Sequence, residues 1–296
     1  MSYIDLHIHS NYSNDGEYSP AEIISMCYEN GLKTVAISDH NSVKGIREAK
    51  CKANELGLDL ISAIELNCIH KGINIHILGY FIDEEYPEFL NNENMILEQE
   101  QRASKKRIDL VRNLGINVDL EEIAKLAVNG VVTGEMIAEV SLNDEINKNN
   151  DLLRPYFKGG IRSDNPYVNF YWDFCSQDKP AYIPIQYINL NEATLYIVKS
   201  GGIAVLAHPG INIGEDECIL KDIINQGICG IEVYSSYHSD HQTEFYKNKT
   251  KELNLAVTCG SDFHGKIKPK IKVGSVSCEG REAEIINSLR SYNNIS

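Results

Sequence analysis

The chain opens with a short segment in which apolar and polar residues alternate, as in a β-strand. Successive side chains of a strand point to opposite faces, so the apolar residues at positions 4, 6 and 8 share one face. The other face carries Asp5, His7 and His9. Two imidazoles two residues apart on one face are close enough to bind one ion, so this strand is a candidate part of a metal site.

The rest of the pattern predicts strands and helices in alternation. Ser19-Pro20 begins a helix with a capping box, and Gly31 ends it. Short apolar runs predict buried strands, whereas apolar residues spaced three or four apart predict helices. The predicted strands after the first are 33–38, 58–65, 73–81, 202–207, 228–234, 255–259 and 271–276, and helices are predicted at 42–57 and 281–292.

The middle of the chain has a different character. Residues 88–142 show a polar helical pattern, and residues 149–174, rich in Asn, Pro, Gly and aromatic residues, are typical of a loop. Strand and helix signals then resume. We therefore expect a discontinuous barrel formed by 1–90 and 186–296, with 91–185 inserted as a mainly helical cap that determines substrate specificity.

Potential metal ligands lie near the ends of the predicted strands. In a parallel α/β barrel, the carboxyl ends of the strands converge at one mouth, where catalytic groups are placed. The alternation of helices and strands predicts that the strands are parallel. The expected fold class is therefore α/β, with a TIM-like barrel favoured. A doubly wound open sheet is the alternative, because it also gathers strand ends along one edge.

Composition narrows the function. The formal net charge of −14 argues against a stable nucleic-acid partner, since phosphate contacts need Lys and Arg, but bound divalent ions would still attract a small anionic substrate. The sequence has no basic and apolar leader and no apolar run near 18 residues, so we expect no membrane span. The eight cysteines form no C-x-x-C pair, which favours reduced thiols and a cytoplasmic location. The oligomeric state is not predicted.

Nine residues with metal-ligand chemistry stand in the strands or in the loops that follow them. They are His7, His9, Asp15, His40, Glu65, His76, His208, Asp262 and His264. Nine nitrogen and oxygen ligands are too many for one ion, which takes about four to six, and they suit two or three. Imidazoles and carboxylates are ligands for Mn, Fe or Zn. Two such ions would lower the pKa of a shared water from about 16 towards 7, which suits phosphate ester hydrolysis.

Six short motifs, in this order, resemble those of the PHP (polymerase and histidinol phosphatase) superfamily: "DLHIHS", "SDH", "AIE", "HILGY", "AHPG" and "GSDFHG". The resemblance covers about residues 1–85 and 190–296. It implies a distorted (β/α)7 barrel with a di- or trinuclear metal site. The insertion before "AHPG" is similar to that of stand-alone phosphoesterases acting on nucleotides and small phosphorylated metabolites.

The resemblance also implies how the ligands are shared among three ions. The first ion would be held by His7, His9, Glu65 and Asp262. Glu65 would bridge to a second ion held by His76 and His208. A third ion would be held by Asp15, His40 and His264. The attacking metal-bound hydroxide would be held at Glu65 and Asp262.

Other residues are candidates for supporting roles. Asp5 and Asp39, each near a ligand histidine, either orient imidazoles or cap strand ends. His238 is a candidate phosphate contact or general acid, and His241 a candidate substrate contact, although both also fit the surface of a helix start. Basic residues of the insertion are candidate phosphate clamps or parts of a solvated loop: Arg154, Lys158 and Arg162.

One departure from the family pattern affects the substrate. Related nucleotide phosphatases usually show Gly-Arg-Pro-His in the cap, whereas Gly134-Glu135-Met136-Ile137 stands here. The absence of that Arg and His weakens the expectation of a nucleotide substrate. A sugar phosphate and a cyclic phosphate ester are therefore candidates as well as a nucleotide.

The leading hypothesis is a metal-dependent phosphoesterase, and two alternatives remain. An amidohydrolase-type barrel also opens with His-x-His, but it commonly needs a bridging lysine, and no convincing lysine stands at a predicted strand end. A non-catalytic, metal-stabilised PHP module that binds or regulates a partner is the second alternative. Its ligand set would tend to be incomplete, whereas here all nine positions are filled.

Overall fold

The computed structural model describes residues 2–127 and 129–293. Residue 1 of the predicted segment 1–90, residue 128 of the predicted insertion 91–185 and the last three residues of the predicted segment 186–296 lie outside the described residues. The chain has an α/β fold. The strands are β1 (Ile4–Ile8), β2 (Thr34–Ile37), β3 (Asp59–Leu60), β4 (Ala63–His70), β5 (Ile73–Tyr80), β6 (Ile188–Asn189), β7 (Ile203–Leu206), β8 (Gly230–Ser235) and β9 (Ala256–Gly260).

Helices connect and flank these strands. The α-helices are α1 (Pro20–Glu29), α2 (Ile46–Leu56), α3 (Pro87–Asn113), α4 (Leu120–Leu126), α5 (Gly134–Asn143), α6 (Pro166–Phe170), α7 (Leu190–Lys199), α8 (Pro209–Asn212), α9 (Glu217–Ile224), α10 (Asp240–Leu253) and α11 (Glu282–Asn293). Short 3-10 turns occupy Glu145–Asn147, Arg154–Tyr156 and Gly265–Ile267, and Tyr171–Cys175 is π-helical. Across the described part of the chain, no helix is both long and apolar enough to cross a membrane.

The strands form two sheets. A three-stranded parallel sheet has the order β1-β2-β3, and a six-stranded mixed sheet has the order β6-β4-β5-β7-β8-β9. Two isolated bridges, Ile8 to Phe263 and His40 to Glu65, join residues in or next to strands of the two sheets. Within residues 2–127 and 129–293, no continuous ladder closes the sheets into a barrel, so the fold is α/β with mixed sheets.

The prediction that all strands are parallel is wrong for β5, which is antiparallel to both β4 and β7. The cause is a hairpin: β4 and β5 are joined by Lys71 and Gly72 alone, both with positive φ. Two residues with positive φ form the tight turn whose twist matches an antiparallel pair, and glycine adopts this conformation without strain. Residues 58–81 therefore contain an antiparallel hairpin where parallel strands were expected.

Three smaller expectations were also wrong. The predicted strand 58–65 is interrupted, so Glu65 is the third residue of β4 instead of a strand end. Residues 271–276 form a turn instead of a strand, because the Gly274 amide donates a hydrogen bond to Asp5 Oδ2. Residues 149–174 were expected to be loop but include α6 and a 3-10 turn.

The chain divides into two compact units. The first comprises residues 1–93, 187–265 and 270–296, and the second comprises 94–186 and 266–269. In the first unit, α7 packs on β4, β5 and β7 with the buried side chains Leu190, Ala193, Thr194 and Ile197.

Every residue of β1 is buried, on the polar face as well as the apolar one. Asp5 and His7 of this strand, and His9 directly after it, are all buried and must therefore find polar partners inside the protein.

The second unit has a hydrophobic core of its own. Val111, Ile137 and Phe170 are fully buried there, together with side chains of α4 and of the π-helical turn. An ion pair lies beside this core: the buried Arg107 guanidinium is 3.1 Å from Oε2 of the partly buried Glu100 and also donates to the Val132 carbonyl.

Candidate metal centre

Nine histidine and carboxylate side chains of the first unit meet at one place. They come from β1, β4, β5 and the segments that follow β1, β2, β7 and β9. They are the residues His7, His9, Asp15, His40, Glu65, His76, His208, Asp262 and His264. The inner members are fully or almost fully buried, whereas Asp15, His40 and His76 are partly exposed.

The first group has four donor atoms that converge on one point. His7 Nε2 and His9 Nε2 are 3.0 Å apart. Glu65 Oε2 lies 3.2 and 3.1 Å from these nitrogens, and Asp262 Oδ1 lies 3.3 and 2.9 Å from them. One donor atom from each residue lies within 4.8 Å of all the others. A divalent ion bound by imidazoles and carboxylates needs such a set.

Glu65 connects this group to the remaining ligands. Its other oxygen, Oε1, lies 3.0 Å from His76 Nδ1 and 3.1 Å from His208 Nε2. Its Oε2 is also 3.0 Å from His40 Nδ1, yet among the described residues it has no partner in the directional geometry of a hydrogen bond. A buried carboxylate oxygen surrounded by three imidazole nitrogens without a directed hydrogen bond fits a position shared with a cation.

A third group lies beside the first. Suitable nitrogens of His9, His40 and His264 lie within 4.8 Å of one another. The Asp15 carboxylate approaches from the loop after β1, with Oδ2 at 3.3 Å from His264 Nε2 and 3.9 Å from His40 Nε2. The structure thus brings all nine predicted ligand residues together, and Glu65 lies between the groups.

Glu232, in the middle of β8, was missed by the sequence analysis. This fully buried carboxylate accepts a hydrogen bond from His7 Nδ1 at 2.9 Å and another from the His208 backbone amide at 2.9 Å. A carboxylate accepts only, so Nδ1 of His7 carries the proton and Nε2 faces the cluster. The available signal was a carboxylate inside the apolar run "GIEVY", where an unpartnered charge would be costly.

The two other acidic candidates have different roles. Asp39 acts on an imidazole indirectly: it accepts from Ser13 Oγ at 2.8 Å, and Ser13 Oγ lies 3.0 Å from His9 Nδ1. Among the described residues, no imidazole donates a hydrogen bond to Asp5; its side chain accepts backbone hydrogen bonds, from Ser261 at 2.9 Å among others. Burial raises the pKa of Asp5 to about 6, although these amides act against it.

The backbone is strained where two of the ligands are placed. His208 has φ of 24° and Asp262 has φ of 57°, the left-handed region that costs a side-chain-bearing residue about 1–2 kcal/mol. Hydrogen bonds hold both turns, from the His208 amide to Glu232 and from the Asp262 amide to the His7 carbonyl at 2.8 Å. Such strain concentrates at functional sites.

Close backbone packing also positions His7. A Cβ on Gly260, the last residue of β9, would lie 2.2 Å from the Cβ of His7 and 2.5 Å from Glu232 Oε1. Only glycine allows this approach.

The electrostatics of the cluster favour bound cations. Burial raises the pKa of Glu65, but the adjacent His7, His76 and other imidazoles outweigh it and hold that pKa well below the usual range. Burial, with the neighbouring His264 and His40, lowers the pKa of His9 to about 3, so His9 is neutral, as a metal ligand must be. Burial acts in the same direction on His40, but the Glu65 and Asp15 carboxylates outweigh it and raise the pKa of His40 to about 9, so this imidazole must release a proton to bind a metal ion.

The two histidines after β8 lie in different surroundings. His238 uses both ring nitrogens: Nδ1 donates to the Val233 carbonyl at 2.9 Å, and the Gly210 amide donates to Nε2 at 3.0 Å. Its ring also stacks on Tyr246. His241 is exposed and lies 2.8 Å from Glu215 Oε1. The roles suggested for these two residues stay predictions.

The basic residues of the insertion belong to the second unit. Arg154 is exposed and pairs with Asp151, and Lys158 is exposed. Arg162 forms a two-pronged contact with Asp173, at 2.9 Å from Nε and 2.8 Å from Nη2. Their assignment to substrate binding stays a prediction.

Tyr237 is a second residue that the sequence analysis missed. Its hydroxyl donates to Asp262 Oδ2 at 2.6 Å, and its ring is nearly perpendicular to the His208 imidazole, with the ring centroids 5.8 Å apart. The sequence gives little indication of it, because a tyrosine in "YSSYHSDHQ" is inconspicuous beside two histidines.

Comparison with known proteins places this geometry in context. A family model described as PHP domain matches residues 5–168, more than half of the chain. The phosphoribosyl 1,2-cyclic phosphate 1,2-diphosphodiesterase of Eggerthella lenta is 27% identical over 270 residues, 88% of this chain and 94% of that protein. The 3',5'-nucleoside bisphosphate phosphatase of Chromobacterium violaceum is 29% identical over 267 residues, 89% of this chain and 88% of that protein.

A solved structure extends the similarity to the fold. The structure of an amidohydrolase from Chromobacterium violaceum, with bound sulfate and no metal, matches with a TM-score of 0.77 and 25% identity over 97% of both chains.

Proposed function

This chain belongs to the PHP domain family, and we propose that it hydrolyses a small phosphorylated metabolite at the nine-residue centre. It is a metal-dependent phosphoesterase, in keeping with two relatives of similar length that are named as phosphoester hydrolases. The observation that carries the proposal is the position of Glu65, buried among imidazoles from four separate segments.

We assign two or three divalent ions to the centre, of Mn, Fe or Zn, because its donors are imidazoles and carboxylates with no thiolate. When bound, such ions lower the pKa of water and neutralise phosphoryl oxygens. Glu65 would contribute both oxygens and so connect two positions. His7, His9 and Asp262 would complete the first position, His76 and His208 the second, and Asp15, His40 and His264 the third.

The finer architecture is part of the same proposal. Ile8 pairs with Phe263 and His40 pairs with Glu65, which supports treating the two sheets as parts of one distorted barrel; the seven-stranded (β/α)7 form stays a prediction. We assign substrate selection to the inserted segment, predicted at 91–185, because it forms a compact unit with its own core.

The substrate class follows from charge and from the relatives. The two curated relatives are named for a cyclic phosphate and a nucleoside bisphosphate, both small phosphorylated molecules. The sulfate in the Chromobacterium violaceum structure is a tetrahedral anion of the same shape as phosphate. We therefore propose a nucleotide, a sugar phosphate or a cyclic phosphate ester. Arg154, Lys158, Arg162, His238 and His241 remain the candidate substrate contacts.

The test is a phosphate-release screen on protein stripped with chelator and reloaded with Mn, Fe or Zn. The panel contains nucleoside bisphosphates, sugar phosphates and cyclic phosphate esters. His9→Ala should lower kcat by more than the about 10–100-fold typical of changes to the outer shell of a metal site. His70→Ala, which removes a histidine paired with Asp222 away from the centre, should leave activity unchanged.

The amidohydrolase named among the similar structures supports one alternative, hydrolysis of an amide or lactone. The same metal-loaded protein is therefore assayed on amides and lactones. Faster turnover there than on every phosphate ester would overturn the proposal. Full metal occupancy with no turnover on either panel would favour a binding module instead.

A further inference from the structure

Tyr237 contacts the metal centre from the segment that follows β8. Its hydroxyl donates to Asp262 Oδ2 at 2.6 Å, a length typical of a hydrogen bond to an ionised carboxylate. The tyrosine is only half-buried, at the margin of the cluster.

The segment that carries Tyr237 is fixed by several contacts. The His238 amide donates to the Ser235 carbonyl at 3.2 Å, and the His238 ring bonds to the backbone of Val233 and Gly210. Directly afterwards, Ser239 caps α10 with a capping box. Tyr237 is therefore held in place on both sides, which is the condition for it to orient another group.

The two oxygens of Asp262 have different surroundings. Oδ1 faces the first ligand group, 2.9 Å from His9 Nε2 and 3.3 Å from His7 Nε2, whereas Oδ2 faces Tyr237. A carboxylate binds an ion through one oxygen or through both, and a hydrogen bond to one oxygen favours binding through the other. Asp262 also has a strained backbone, so its side chain gains from an external restraint.

The tyrosine ring restrains a second ligand. Its centroid lies 5.8 Å from that of the His208 imidazole, with the rings nearly perpendicular at 80°. This edge-to-face arrangement is a favoured one for aromatic rings. His208 also has positive φ, and its Nε2 points to Glu65 Oε1 at 3.1 Å. One side chain thus contacts the two predicted ligands with strained backbones.

We propose that Tyr237 is a positioning residue of the centre: its hydroxyl turns Asp262 so that Oδ1 alone faces the ions, and its ring restrains His208. The inference deepens the proposed function and rests on it. Binding through one oxygen leaves a coordination position free for water or substrate, which an active centre needs and a purely structural centre lacks.

Two variants separate the hydroxyl from the ring. Tyr237→Phe removes the hydroxyl only, and Tyr237→Gln removes both the hydroxyl and the ring, because the shorter glutamine side chain ends before the position of the tyrosine hydroxyl. Tyr234→Phe is the matched control, because it removes a hydroxyl three residues earlier that contacts Glu279 and Arg281 instead of the centre. Circular dichroism and thermal unfolding of the chelator-treated proteins verify that each variant is folded.

The primary measurement is Mn²⁺ binding without substrate, by equilibrium dialysis and metal analysis. Tyr237→Phe should weaken binding at one or more sites by about 10–100-fold, the range found for partners of metal ligands. Tyr237→Gln should be affected at least as much as Tyr237→Phe, because it also loses the ring contact with His208, and Tyr234→Phe should match the wild type. If Tyr237→Phe does not fold, weaker Mn²⁺ binding by Tyr237→Gln than by Tyr234→Phe supports the proposal, and equal binding overturns it.

Activity gives a second reading that a merely structural role would not produce. In Tyr237→Phe, the Mn²⁺ concentration for half-maximal activity should rise by about 10–100-fold, while KM for substrate at saturating Mn²⁺ stays within about twofold. Mn²⁺ binding equal to wild type in the folded Phe variant would overturn the proposal while leaving the phosphoesterase function intact. A wild-type protein that binds no Mn²⁺, Fe²⁺ or Zn²⁺ would overturn both.

Discussion

Replacing the buried Glu232 with glutamine exchanges one carboxylate oxygen for an NH₂ group. The substitution leaves His7 in the chain but should weaken metal binding by this predicted ligand. Each oxygen of Glu232 accepts one hydrogen bond, from His7 Nδ1 and from the His208 amide, both at 2.9 Å. Glutamine has one acceptor and one donor group at these positions. Its NH₂ group must therefore face an N–H, unless His7 moves its proton from Nδ1 to Nε2.

The magnitude follows from these two contacts. A hydrogen bond to a charged group contributes about 1.5–3 kcal/mol, and here at least one is lost. Moving the proton of His7 to Nε2 places it on the nitrogen that faces His9 and Glu65, where it competes with a metal ion. At about 1.4 kcal/mol per factor of ten, we expect Glu232→Gln to weaken metal binding by about 10- to 150-fold.

Metal competition with a chromophoric chelator measures the affinity, and ¹⁵N-detected histidine spectra of the metal-free protein report which ring nitrogen carries the proton. Glu215→Gln is the control, since Glu215 pairs with the exposed His241. Wild-type metal affinity in Glu232→Gln, with the His7 proton still on Nδ1, would refute the reasoning.

Three further outcomes are expected. Gly260→Ala should lower the free energy of unfolding by about 1–3 kcal/mol and reduce the metal content, because the new Cβ would lie 2.2 Å from the Cβ of His7. A free energy of unfolding and a metal content equal to those of the wild type would contradict the packing argument. Mn²⁺ at 100 times its Kd should stabilise the protein by about 2.7 kcal/mol, raising Tm by about 5 °C, and calorimetry showing no shift would exclude binding to the folded state. Exposed Cys51 and Cys218 should react rapidly with a disulfide reagent, whereas Cys175 should react slowly because burial raises its pKa to about 12. Replacing both exposed cysteines with Ser should remove the fast phase of the reaction. Rapid labelling of Cys175 would contradict this prediction.

Residues at strand ends were predictable because local pattern and ligand chemistry coincide there. The alternation of Asp5, His7 and His9 with apolar residues places both imidazoles on one face. Because every residue of β1 is buried, the polar side chains of this face need polar partners inside the protein. The α/β fold class and the family were recognisable from the same motifs, and both are confirmed, at the level of an α/β fold with mixed sheets.

The hairpin of β4 and β5 was not predicted, although its signal was present. Lys71-Gly72 separates two apolar runs by two residues, the spacing of a tight antiparallel turn, but alternation of strands and helices elsewhere favoured parallel strands. The strand predicted at 271–276 was wrong for a different reason. Its apolar residues do pack in the core, but the Gly274 amide donates its hydrogen bond to the distant Asp5 instead of to a neighbouring strand.

Glu232 and Tyr237 could not be assigned from sequence because their partners are remote in the chain. Glu232 lies 225 residues from His7, and Tyr237 lies 25 residues from Asp262. Nothing in the local pattern specifies which side chain a buried carboxylate or a tyrosine hydroxyl will meet. Candidate ligands can be identified in a sequence by residue type, whereas the residues that orient them can be identified only from the folded structure.

The most direct test of the metal centre is anomalous X-ray diffraction from crystals grown with Mn²⁺ and measured on both sides of the manganese absorption edge. The account predicts at least two anomalous peaks, each within about 2.5 Å of a Glu65 carboxylate oxygen. A map from fully Mn²⁺-loaded protein with no peak beside Glu65 would contradict it.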